Sequence, residues 1–305
     1  MNQTLPQLTS SGFELDRSPS KFGFLRPSSD ALDDVPELNR RLTEDGYLYI
    51  PGFFEREDIL EARRSLLGGL AERGFLDQVA PLMEGRVKEN VRIAFEPEVA
   101  QQNPHTRSIV FGSELQGFYE SLFGESILHF SYIWLRTISR GLGTVPHCDM
   151  VYMGRGTHNL LTCWIPYGDV SLELGGLMVL ENSHKKADKL ANYLSHDVDA
   201  YCENRPADVK KIKEEGGWSH SGALSKNPVT LQEKLGGRWL TAEFRAGDFL
   251  TFGMNTVHAS LDNHTDCVRL SSDTRYQRAS EPADERWIGE NPIGHSVAGK
   301  RGRIC

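Results

Sequence analysis

In "PHCDMVYMG", His147 and Asp149 set an imidazole and a carboxylate two positions apart, with Cys148 between them. Side chains at i and i+2 of a strand share a face, so the pair could grip one cation and turn Cys148 into the core. Such a pair is two thirds of the two-histidine, one-carboxylate facial triad, which leaves the opposite metal positions open for substrate and O₂. A third ligand has to come from elsewhere. The triplet is weak by itself, because His264, Thr265 and Asp266 repeat it and the chain has ten histidines.

His258 suits the third position best. In "FRAGDFLTFGMNTVHASLDN" a turn at Gly247 and Asp248 launches an apolar strand, and His258 follows a short irregular link, where the chain leaves the sheet at a barrel mouth. His264 has only His295 downstream and too little chain left to build a barrel, so it reads as a loop residue ahead of a strand. His105, His129, His158, His184, His196 and His220 have no comparable setting and read as structural or exposed.

The strand "CVRLSSDTRYQ" alternates: Val268, Leu270, Ser272, Thr274 and Tyr276 take one face, and Arg269, Ser271, Asp273, Arg275 and Gln277 the other. A polar face means solvent or a polar barrel interior. Arg269, eleven positions after His258, offers a guanidinium fork for a cosubstrate carboxylate, and Arg275 serves equally well on spacing.

These residues need a scaffold of many short strands. From about residue 127, "LHFSYIWLRTIS", "NLLTCWIPYGDV", "GGLMVLENSH", "RWLTAEF", "DFLTFG" and "CVRLSSDTRYQ" are separated by Gly, Pro, Asp and Asn. That pattern predicts a sandwich or barrel, not a parallel α/β sheet. Ahead of it come a helix in "PELNRRLTEDG" closed by Gly46, a strand in "YLYIPGFF", and an amphipathic helix in "EREDILEARRSLLGGLAERG" with Ile59, Leu60, Leu66, Leu67 and Leu70 in one stripe. The expectation is a mainly β fold with flanking helices: an irregular arm without chemistry over 1–35, one domain over 36–280 and a tail over 281–305. Residues 184–238, with a helix-like "PADVKKIKEEGG", are too long for a plain connection and read as a lid over the substrate.

At 305 residues with net charge −8 and no basic run, the chain points to a small-molecule partner and not to nucleic acid. No membrane-length apolar segment and no signal peptide is visible, so a cytoplasmic location is expected. Five scattered cysteines (Cys148, Cys163, Cys202, Cys267, Cys305) predict buried thiols and no disulfide framework. Oligomeric state is not legible.

Taken in order, "GYLYIPGFF", "PHCD", "CWIPYGDV", "GGLMVLENSHK", "GDFLTF…VHAS" and "NHTDCVRLSSDTRYQ" resemble the phytanoyl-CoA dioxygenase family of Fe(II)- and 2-oxoglutarate-dependent oxygenases. Asn182 departs from the family's usual Gly before Ser-His, but it is a turn residue that tolerates left-handed backbone. The resemblance implies a double-stranded β-helix (a cupin-like jelly roll) with His147, Asp149 and His258 as iron ligands. Arg269 would bind the far carboxylate of 2-oxoglutarate, with Ser260 and Trp164 also beside the cosubstrate. It further implies Fe(II), 2-oxoglutarate and O₂ as cofactors and cosubstrates, and release of succinate and CO₂. Related halogenases lack the carboxylate ligand, so Asp149 favours hydroxylation. Two other readings of the triad are a cupin-like enzyme without 2-oxoglutarate, which leaves Arg269 idle, and a non-catalytic binding protein. Nothing marks a CoA pocket.

Overall fold

The computed structural model describes residues 7–214, 217–218 and 221–305, so Met1–Pro6 of the arm and Glu215, Gly216, Ser219 and His220 of the lid segment lie outside it. Strands run in chain order as β1 (Thr9–Ser10), β2 (Phe13–Glu14), β3 (Phe22–Phe24), β4 (Tyr47–Ile50), β5 (Ile127–His129), β6 (Trp134–Ile138) and β7 (Leu161–Pro166). They continue as β8 (Leu177–Leu180), β9 (Ala200–Cys202), β10 (Trp239–Thr241), β11 (Phe249–Gly253), β12 (His258–Ser260), β13 (Arg269–Arg278) and β14 (Arg301–Arg303). The major sheet has the order β4-β11-β7-β13-β5, with β6 also on β13; the minor sheet has the order β12-β8-β10-β3. Facing each other, they form the jelly-roll core.

Alternation assigns each strand of the major sheet two jobs. Tyr47, Tyr49, Trp164, Leu250 and Phe252 point inward and meet Leu177, Val179 and Leu240 of the minor sheet. Their neighbours Leu48, Ile50, Cys163, Ile165 and Phe249 point outward into a helical layer. A sheet covered on both faces is apolar at nearly every position. Helix Val35–Asp45 starts on the Asp34 carboxylate, which accepts from the Glu37 amide, and ends at Gly46 in left-handed conformation, φ 80°. A Cβ there would lie 2.3 Å from the His184 ring, so glycine is needed twice over. Helix Arg56–Glu72 buries Ile59, Leu66, Leu67 and Leu70 on the sheet, with Leu60 partly buried beside them.

The turn before β11 is built as its sequence indicates: Gly247 has φ 110°, and the Asp248 carboxylate accepts from the Gly52 and Arg245 amides and from the Tyr49 hydroxyl. Asn182 is left-handed, φ 58°.

Four expectations need correction. The N-terminal arm is not irregular: β1 and β2 form a hairpin, and β3 joins the minor sheet parallel to β10, its pairing partners more than two hundred positions away. The C-terminal residues are not a free tail, since Trp287 is buried in an aromatic cluster and β14 pairs in parallel with β9. That pairing brings Cys202 and Cys305 to a Cα separation of 5.5 Å, and they form a disulfide, so not all cysteines are free. Cys148 and Cys163 are buried thiols as expected. Finally, "LHFSYIWLRTIS" is two strands, β5 and β6. The 184–238 stretch carries helices Ala187–Leu194, Pro206–Val209 and Pro228–Leu235 around β9. Among the described residues no helix is long and apolar enough to cross a membrane.

Leu66 is fully buried in the helical layer, on the far side of the sheet from the interior. Leu66→Ala should lower stability by about 3 kcal/mol in urea unfolding while leaving metal affinity unchanged; a matching loss of metal affinity would mean that the layer shapes the site.

Candidate active site

His147 and His258 pair backbone to backbone, each amide donating to the other's carbonyl at 3.0 Å, which extends the minor sheet by one bridge. Their rings lie 4.1 Å apart. Asp149 is not on this strand: it has helical backbone (φ −67°, ψ −21°) and begins the short helix Met150–Met153. The i, i+2 face-sharing read from the sequence is therefore corrected. The chain turns after His147 and swings the carboxylate up to the histidines, while Cys148 is buried in the core as expected.

Each imidazole has its Nδ1 against a backbone carbonyl, His147 on Val145 at 2.8 Å and His258 on Thr256 at 3.0 Å. A carbonyl only accepts, so Nδ1 carries the proton and the Nε2 lone pairs face inward. They lie 3.8 and 3.7 Å from Asp149 Oδ1. The other carboxylate oxygen, Oδ2, accepts from the Thr162 hydroxyl and from Arg275 Nη2, the latter at 2.9 Å. One carboxylate oxygen and two imidazole nitrogens are left, buried and converging within 4.8 Å of one another. Burial, then the neighbouring His258, lowers His147 to a pKa of about 3, and burial also lowers His258, so both rings stay neutral. Burial by itself would raise Asp149, but the charge of Arg275 foremost, with the hydrogen bond from Thr162, outweighs it and holds the carboxyl low. Lone pairs facing a carboxylate fit a divalent cation, and the mixed N,O donor set suits non-haem Fe(II).

Beside this cluster lies a cavity lined by Thr144, Thr162, Trp164, Ser260 and Arg269. Arg269 is 2% exposed; its Nη1 donates to Ser271 Oγ at 2.5 Å, its Nε has no partner, and no carboxylate of the described residues pairs with it. Burial, then Arg136, pulls its pKa down to about 9, which still leaves a cation at neutral pH. Arg275, its rival on spacing, is already paired: Nη1 to Asp273 at 2.8 Å, Nη2 to Asp149, and the guanidinium 4.3 Å from the Trp134 ring. Ser260 Oγ accepts from the Thr144 amide at 2.8 Å. Trp164 is buried against Phe244, ring centroids 4.7 Å apart. His264 sits in a loop, its Nε2 2.9 Å from Thr9 Oγ1 and remote from the cluster.

A second cavity of about 330 Å³ opens on the other side of His147 and Asp149, walled by Phe95, Trp134, Tyr152 and Trp218, with Arg136 and His295 at its edge. Sequence reasoning missed Thr162, Asp273, Trp134, Tyr152, Trp218 and His295. The strand pattern had already put Asp273 and Arg275 on the face of Arg269; the others carry no signal along the chain.

A jelly roll with this ligand set and a lone buried arginine beside it belongs to the non-haem, oxo-acid-dependent oxygenases. The profile described as Phytanoyl-CoA dioxygenase (PhyH) matches residues 42–271, and the chain belongs to that family. It is thus an Fe(II)- and 2-oxoglutarate-dependent dioxygenase. The 1-deoxypentalenic acid 11-beta-hydroxylase of Streptomyces exfoliatus is 28% identical over 261 residues, which is 82% of this chain and 83% of that protein. In fold the chain is similar to the non-heme alpha ketoglutarate dependent carbocyclase SnoK from nogalamycin biosynthesis (TM-score 0.56, 21% identity, 85% of this chain and 89% of that one). It is also similar to the epimerase SnoN, solved with Fe3+, alpha ketoglutarate and nogalamycin RO (TM-score 0.54, 20% identity, 87% and 94%).

Arg275→Met would strip Asp149 and Asp273 of their shared cation. Titration of the metal-free protein with Fe(II) under anaerobic conditions should show affinity lower by roughly 10- to 100-fold, the usual cost of losing a group that orients a ligand. Unchanged affinity in a folded variant would reduce Arg275 to a packing residue.

Proposed function

We propose that the chain hydroxylates an unactivated C–H bond of a small, largely apolar molecule, using His147, Asp149 and His258 as iron ligands and Arg269 as the anchor of 2-oxoglutarate. The observation that carries this reading is Arg269: a cation buried inside the barrel, facing the same cavity as His258, with no carboxylate of the described residues paired to it and its Nε without a partner. Leaving a guanidinium unpaired in a dry interior is costly, and a dicarboxylate entering from the iron side relieves it.

When bound, iron with 2-oxoglutarate and O₂ supplies the oxidising power, giving succinate, CO₂ and a hydroxylated product. The chain supplies position and dryness. Thr162 and Arg275 occupy Asp149 Oδ2, which leaves Oδ1 alone for the metal and keeps the carboxylate from chelating through both oxygens. The carbonyls of Val145 and Thr256 hold the two imidazoles in the tautomer that presents Nε2. Ser260 and Thr144 border the cosubstrate cavity, and Trp164 closes its wall. Asp149 is itself a reason to favour hydroxylation, since the carboxylate keeps a position that a halide would otherwise take. The aromatic cavity beyond His147 is where the substrate would lie, and it accords with relatives whose names refer to 1-deoxypentalenic acid and nogalamycin.

Anaerobic titration with Fe(II) and then 2-oxoglutarate should produce the weak visible charge-transfer band of a chelated 2-oxo acid. His147→Ala should abolish it. Arg269→Met should keep iron binding but raise the 2-oxoglutarate concentration for half-saturation by roughly 100-fold, from the loss of one buried charge partner. Equal 2-oxoglutarate affinity in Arg269→Met would remove Arg269 from the site.

A further inference from the structure

The wall of the outer cavity includes one side chain that the iron and 2-oxoglutarate chemistry does not use. His295 comes from the C-terminal segment and meets Tyr152, Trp218 and Trp287 edge-on, with ring centroids 6.1, 5.0 and 4.7 Å away. Its Nδ1 is 2.7 Å from Asp199 Oδ2. A carboxylate accepts and never donates, so Nδ1 carries the proton and the polar edge left over is Nε2. Nε2 has no hydrogen-bond partner among the described residues, and the ring borders the cavity.

The support behind the ring is unusually firm for a chain end. Asp199 is fully buried and also accepts from Arg286 Nη1 and from Lys300 Nζ, the latter at 2.7 Å, while its carbonyl takes the Arg301 amide at 2.9 Å. The β9–β14 pairing and the Cys202–Cys305 disulfide close the segment from below. A ring held this rigidly at the wall of an aromatic cavity, with one nitrogen unpartnered among the described residues, is arranged for recognition. The two cations at this cavity, Arg136 and Arg275, both already engage Asp273.

We propose that His295 is a specificity-determining residue whose Nε2 accepts a hydrogen bond from a hydroxyl on an otherwise apolar substrate. Tyr152 stands between His295 and the metal-site ring of His147, at 5.5 Å from the latter. An oxygen held at His295 therefore fixes one end of the molecule and directs a carbon about one ring farther on toward the iron. The role is positional; His295 touches no reacting atom. This inference rests on the outer cavity being the substrate site of the oxygenase described above.

The test uses the wild type loaded anaerobically with Fe(II) and 2-oxoglutarate, and two bicyclic probes that differ by one hydroxyl, 2-tetralol and tetralin, titrated by calorimetry. The charge-transfer band is recorded first, and its absence would overturn the oxygenase reading before either probe is added. With the band present, His295→Leu should keep it and shift the ratio of the two affinities toward tetralin by roughly five- to tenfold, the worth of one hydrogen bond in a dry site. His295→Gln, which retains a hydrogen-bonding end, should restore most of the wild-type ratio. The same ratio in wild type and His295→Leu, or no binding of 2-tetralol to the wild type, would overturn the proposal.

Discussion

A carboxylate is kept charged inside a nearly dry barrel by one guanidinium, and the rest of the site is arranged around that contact. Asp149 and Arg275 are each 2% exposed, 2.9 Å apart. The pair continues outward, because Arg275 also holds Asp273 and Asp273 holds Arg136. Two positive and two negative side chains thus alternate across the interior and cancel. Arg269 is the cation outside this chain, and among the described residues it has no carboxylate paired to it directly. Adding a divalent metal and a dicarboxylate leaves the total charge unchanged while giving every member a neighbour of opposite sign. That is how a low-dielectric interior tolerates so many ions.

The precision of the site comes from register. Strand β13 is paired on one side with β7 and on the other with β6 and β5. Its outward face carries Tyr276, stacked on Tyr119 of the helical layer at 4.0 Å, and its inward face carries Arg269, Asp273 and Arg275. A slip of one residue would send the ions into the apolar layer and the tyrosine into the cavity, so hydrophobic packing on one face fixes electrostatics on the other. The same division holds in β7, where Thr162 and Trp164 reach the cavities and Cys163 and Ile165 pack outward.

This explains which features can be read along the chain. Period-two alternation, the Gly247–Asp248 turn and the closing Gly46 are local signals, and they place the strands, the polar face of β13 and the neighbourhood of His258. The three converging residues are legible because two are close in sequence and the third follows an apolar strand after a short link; it opens β12 and does not leave the sheet there. Asp149 sits on a helical turn and not on a strand because the chain must bend to bring Oδ1 to both Nε2 atoms, a tertiary demand with no local trace. The same holds for β3 against β10 and for Cys202 against Cys305, whose partners lie far apart in the chain and whose segments lack periodicity. The choice between Arg269 and Arg275 turned on which one has a carboxylate partner, and spacing carries no information about that.

The two cavities are built from different kinds of element, and this has a functional consequence. The cavity beside Arg269 is lined mainly by core strands, whose geometry is overdetermined by hydrogen-bond ladders and by packing on both faces. The outer cavity takes Trp218 from the long insertion and His295 from the C-terminal segment. Those stretches add little to the main sheets and are held by side-chain hubs, Asp199 foremost. Substitutions there disturb few ladder bonds, whereas substitutions on β13 disturb the whole charge chain. A fold divided in this way can change the outer cavity at Trp218 and His295 without disturbing the cavity beside Arg269, because those two residues are tied to the barrel mainly through contacts that can be exchanged one at a time, whereas Trp134, Arg136 and Arg275 on the core strands stay fixed.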